Sequence, residues 1–113
     1  MSNLTQDQQS QIASTILNQL GGRRFAAMTG VKEITMLPEG GVRFKIGRNC
    51  NRVNTVTITL DHGADTYDMK FEKVSFIKKT ASFKRKLIDS FEGVYFDMLQ
   101  SLFTDATGMD THL

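Results

Sequence analysis

Apolar residues recur at helical spacing near both ends of the chain and at strand spacing between them. Ile12, Ala13, Ile16, Leu17 and Leu20 follow a Thr5-Gln6-Asp7-Gln8 capping box and run into Gly21-Gly22, which predicts an amphipathic helix of about four turns. Arg23 to Thr29, with Phe25, Ala26, Ala27 and Met28, predicts a short second helical segment ended by Gly30 in a left-handed cap. From Val31 the period changes to two. Four strand-like runs follow: Lys32 to Leu37, Val42 to Ile46, Thr55 to Leu60, and a fourth carrying Tyr67, Met69 and Phe71 inward. Pro38-Glu39-Gly40-Gly41 and Asp61-His62-Gly63-Ala64-Asp65 supply turns between them, and residues 47–54 form a longer polar loop.

Within these runs Val42, Phe44 and Ile46 alternate with Arg43 and Lys45, and the threonines of Thr55 to Leu60 fall on the outward side. In the fourth run Asp68, Lys70 and Glu72 point outward, and the apolar set then shifts to Val74 and Phe76, which predicts a bulge near Lys73. Residues 77–88 carry no sustained period. From Asp89 or Ser90, with Glu92 in the first turn, the spacing of Phe91, Val94, Tyr95, Met98, Leu99, Leu102 and Ala106 predicts a helix reaching a cap at Gly108. Phe96 and Phe103 lie at the margins of that stripe. The fold class expected is a two-layer α+β domain covering residues 1–113, a four-stranded antiparallel meander with the N- and C-terminal helices packed on one face. Met109 to Leu113 reads as a tail.

Charge divides the chain. All 14 lysines and arginines lie between Arg23 and Lys86; residues 21–86 carry a net charge of +8, and residues 87–113 a net charge of −5. No apolar run approaches the roughly 20 residues of a membrane span, and no signal-peptide pattern opens the chain, so a cytoplasmic protein with no membrane partner is expected. Cys50 is the lone cysteine; with His62 and His112 it offers too few soft ligands for structural zinc, and no cofactor fingerprint is present. Neither metal nor cofactor is expected.

Four features carry candidate chemistry. Gly21-Gly22-Arg23-Arg24 has the composition of an anion loop but follows a helix, so glycine as a helix cap with arginines complementing the helix dipole is preferred. Residues 73–86, KVSFIKKTASFKRK, place six cations around Phe76, Ile77 and Phe83; Lys78, Lys79, Lys84, Arg85 and Lys86 could contact phosphates while Phe83 offers a stacking surface. The alternative is a solvated connection pinned by its apolar residues. Asp61, His62 and Asp65 place an imidazole between two carboxylates, but in a turn where Asp and Gly serve the backbone. The wide apolar arc of the last helix could be core or a partner-facing surface, on which Phe96, Phe103, Asp97 and Asp105 are the residues to test.

The stretch Ile16 to Gly30 (ILNQLGGRRFAAMTG), the strand Val56 to Leu60, and Glu92-Gly93-Val94-Tyr95 with Phe103 to Gly108 resemble a widespread set of small uncharacterised bacteriophage and prophage proteins. The resemblance implies a phage accessory protein made inside a bacterial host cell and carries over no functional residue. The function expected first is therefore a non-catalytic module that binds a protein partner, its own copy or a host factor, through the terminal helix and adjoining loops. The alternative is a nucleic-acid-binding module using residues 73–86. No set of groups meets the requirements of an enzyme site.

Overall fold

The computed structural model describes residues 5–47, 49 and 51–109; the expectations for Cys50, His112 and the tail beyond Met109 lie outside them. Helix α1 spans Gln6–Leu20 and starts with the reciprocal cap its sequence predicts. The Gln8 N–H donates to Thr5 Oγ1 at 3.2 Å, and the Thr5 N–H donates to Gln8 Oε1 at 2.9 Å. Ala13, Ile16 and Leu20 form its buried stripe, and the Gly21 N–H closes the helix on the Leu17 and Asn18 carbonyls. Helix α2, Gly22–Thr29, follows at once and ends at Gly30 in the left-handed conformation.

Five strands, not four, then pair in chain order as one antiparallel meander: β1 Lys32–Met36, β2 Gly41–Lys45, β3 Thr55–Asp61, β4 Thr66–Ile77 and β5 Ser82–Val94. Val42 pairs with Ile58, Phe44 with Val56, Val56 with Phe71 and Ile58 with Met69, so the apolar positions of three strands share one face. Helix α1 and a short helix α3, Leu99–Thr107, cover that face. At the centre the Phe25 ring meets Phe103 at 4.9 Å and Phe44 at 5.9 Å, and Phe103 meets Phe71 at 6.0 Å, all edge to face. Burial of each ring contributes roughly 1.5–3 kcal/mol, and the edge-to-face pairs add to it. Strand β2 begins at Gly41, where a Cβ would stand 2.3 Å from the Ile58 carbonyl oxygen.

The predicted helix from Asp89 to Gly108 is corrected to three pieces: strand β5 up to Val94, a 3-10 turn at Phe96–Met98, and α3. The reason is bulges. Against β4, Tyr67 and Met69 face Val94 and Phe91, and Phe71 and Glu72 face Asp89 and Leu87, so β5 carries one extra residue at each step. Two insertions stretch a strand period of two to three, and Ile88, Phe91 and Val94 pack on the core at a spacing that mimics a helix. Gly93, with φ of 64°, takes the first bulge.

The bulge expected near Lys73 of β4 is thus absent from that strand and lies in its partner. β4 keeps one parity from Tyr67 to Ile77, which leaves Val74 and Phe76 on the open face of the sheet instead of the core face. Thr55 and Thr57, expected to be half-exposed, are buried; the Arg43 guanidinium lies over Thr57 and donates from Nε to its hydroxyl at 3.2 Å. Among the described residues no helix is long and apolar enough to cross a membrane.

Candidate nucleic-acid interface

The basic segment is a β-hairpin. Strand β3 last pairs with β4 at Thr55 and Glu72, after which β4 and β5 continue alone through Phe76 opposite Phe83 and Ile77 opposite Ser82. At its base the Asn54 amide adds a further rung, donating to the Val74 carbonyl at 2.9 Å and accepting from the Val74 N–H at 2.8 Å. Lys78-Lys79-Thr80-Ala81 makes the turn, closed by the Ala81 N–H on the Lys78 carbonyl at 3.4 Å. Every residue from Phe76 to Leu87 is exposed, which explains the missing period: a ribbon wet on both faces has no reason to alternate.

The register sorts its side chains into two unlike faces. On the side continuous with the core face, Lys73 stands directly opposite Lys86 and Ser75 opposite Lys84. Like charges directly opposite one another on a sheet are destabilising. No carboxylate occurs between Lys73 and Ile88 to offset them. Lys73 also lines a shallow cleft of about 300 Å³ with Arg52, Asn49 and Asn54, so the cationic surface extends into the loop before β3. That loop is held by Asn49, whose Oδ1 accepts from the Val53 N–H at 3.0 Å and whose Nδ2 donates to the Gly47 carbonyl at 3.0 Å.

The other face carries Val74, Phe76, Phe83, Arg85 and Leu87. The Phe76 and Phe83 rings lie 5.3 Å apart, tilted by 58°, and are 55% and 70% exposed. Arg85 reaches the Glu72 carboxylate at 3.3 Å. Of the predicted residues, Phe83 and Arg85 lie on one face of the hairpin with Phe76, Lys84 and Lys86 lie on the other with Lys73, and Lys78 and Lys79 sit at the turn; Arg52 joins from the loop before β3. Cross-strand partners of this kind could be found only by recognising Lys78 to Ala81 as a hairpin turn, which its residues signal weakly.

The other predicted surface is split. Phe103 is fully buried among Phe25 and Phe71, a correction to its place on a partner-facing arc. Phe96 is 62% exposed beside exposed Tyr95 and Met98, while Asp97 and Asp105 line a shallow depression with Gln100, Ser101 and Thr104. At the turn of Asp61 to Asp65 the Asp61 carboxylate accepts from the Gly63 and Ala64 N–H groups at 3.1 and 3.4 Å, and His62 Nε2 meets the Glu39 carbonyl at 3.0 Å, so these groups serve the backbone. Arg23 and Arg24 are exposed in the first turn of α2, and the last carbonyl of α1, at Leu20, accepts instead from the Gln100 amide at 2.8 Å. Among the described residues no group of three or more His, Cys, Asp or Glu side chains is placed to hold a metal ion.

Comparison of the chain with family models, with curated proteins and with solved structures finds no match.

Proposed function

We propose that the protein is a nucleic-acid-binding module whose β4–β5 hairpin delivers lysines to a phosphate backbone. One observation carries this: Lys73 and Lys86 stand directly opposite each other beside Lys84, in a segment that has six cations and no carboxylate. Folding alone gains nothing from that placement, whereas a polyanion converts the repulsion into attraction and releases its own counterions. Lys78 and Lys79 at the tip and Arg52 at the base extend the same surface. In a low-salt mobility-shift assay the protein retards oligonucleotides, and converting Lys78, Lys79, Lys84 and Lys86 to Ala lowers the slope of log affinity against log salt by roughly 0.7–0.9 for each phosphate that is no longer neutralised. Absence of any shift with single- or double-stranded oligonucleotides removes the proposal.

A second reading has its own observation in the exposed Tyr95, Phe96 and Met98 next to Asp97 and Asp105. These fit a protein partner, the same chain or a host factor, and the resemblance to bacteriophage proteins supports a setting inside a bacterial cell. A protein that sediments as a monomer at every accessible concentration and recovers nothing from bacterial lysate rules this reading out.

A further inference from the structure

Resting on the polyanion reading of the hairpin, we infer that its ligand is single-stranded nucleic acid and that Phe76 and Phe83 are a stacking platform for its bases. The two rings are direct cross-strand partners beyond the last rung of β3, on the open face of the sheet. Their exposed surface, with that of Leu87, comes to roughly 300–400 Å², the size of the largest apolar patch on an ordinary monomer. A stable protein interface needs about 800 Å² from each partner. A second copy seated on this patch would draw roughly half of that area from the cationic surface around it, and so bring a second set of hairpin cations against the first.

Charge selects the occupant. The rings are flanked on their own face by Arg85 and at the turn by Lys78 and Lys79, so a flat apolar group placed on them has cations on either side. A nucleobase joined to phosphates in both directions has that chemistry. A duplex does not, because its base faces are stacked on one another and only edges and phosphates are presented in the grooves. Bound to a duplex, the lysines would be engaged and the rings would stay in water. Arg85 meets the Glu72 carboxylate at 3.3 Å through one nitrogen, while 49% of its side chain stays exposed and open to a phosphate.

The chain contains no tryptophan, so Phe83→Trp installs a single reporter on the platform. Titrating that variant with an oligothymidylate of about 12 nucleotides gives saturable quenching, and titrating with a duplex of the same length gives little. Phe76→Ala and Phe83→Ala each weaken oligothymidylate binding by about 5- to 150-fold while leaving duplex binding and the salt slope unchanged. Phe83→Leu, which keeps apolar bulk in the strand, shows the same loss and separates stacking from fraying of the hairpin. Duplex binding equal to or tighter than single-strand binding, with the ring variants neutral, overturns the inference and leaves the phosphate-binding hairpin standing. No binding of either nucleic acid at low salt overturns both. A dimer abolished by Phe83→Ala, with oligothymidylate affinity unaffected, also overturns it.

Discussion

Phe103 touches Phe25 at 4.9 Å and Phe71 at 6.0 Å and has no exposed surface, so its truncation leaves a cavity between α3 and the sheet. Phe103→Ala should cost about 3–5 kcal/mol in urea unfolding, whereas Phe96→Ala should change stability by less than about 0.5 kcal/mol. Equal effects would place Phe103 on the surface after all. Tyr67 gives a test by pH. Burial raises its phenol above the ordinary value, opposed by the neighbouring Gln19 amide and reinforced by the Asp65 carboxylate. The unfolded chain then loses this proton first, near pH 10 by the ordinary phenol value, so stability is complete below that pH and falls as pH rises toward the folded value. Subtracting the unfolding free energy of Tyr67→Phe from that of the parent across the alkaline range should isolate this decline. A flat difference contradicts it.

Among the elements, the hairpin is attached through Asn54, whose two bonds to the Val74 backbone stand in for a rung of sheet. Asn54→Ala should lower stability by about 1–2 kcal/mol and speed amide exchange at Val74 and outward along the arm, while leaving Phe44 and Ile58 protected. Uniform loss of protection would mean that the arm is not a separate unit. At the opposite edge of the sheet, β1 is tied by Glu33 and Lys45 at 2.8 Å, and the bond from the Lys45 ammonium holds the Glu33 carboxyl below its ordinary value. That small contribution is present above the ordinary Glu value and is lost as pH falls through the folded one. Lys45→Gln should therefore flatten the acid limb of the stability profile, an effect absent from Lys70→Gln.

Over the molecule as a unit, the segregation of charge along the sequence separates a cationic arm, formed by residues 73–86, from a final segment in which Asp97 of the 3-10 turn and Asp105 of α3 face solvent. On the proposed nucleic-acid reading, such a distribution would steer a polyanion to the arm before contact. With four or five phosphates engaged, raising salt from about 50 to about 200 mM should weaken oligonucleotide binding by about 50- to 500-fold in a fluorescence titration. An affinity insensitive to salt would assign binding to apolar contact alone. Whether the arm binds is separable from whether the domain folds, since Lys78, Lys79, Lys84 and Lys86 are exposed and lie outside the core.

Residue order was enough for the elements whose signals are local. The Thr5 cap, the glycine stops at Gly21, Gly30 and Gly108, and the alternation of Val42 to Ile46 and of Tyr67 to Phe71 each depend on neighbours within a few residues, and the structure follows them. Composition likewise concentrated the candidate phosphate contacts in residues 73–86. That Ser82–Val94 is a strand, by contrast, emerges from long-range pairing. Its outer half is wet on both faces and so loses its period, and the two bulges in its inner half space Ile88, Phe91 and Val94 by three, as a helix would. Pairing with β4 settles the matter, because the ladder satisfies the backbone of β5 and seats those three side chains on the core at once, which a helix begun at Asp89 with Gly93 in it does not achieve. The same pairing set Phe76 beside Phe83 and Lys73 opposite Lys86, juxtapositions that exist only once the two arms of the hairpin share a register.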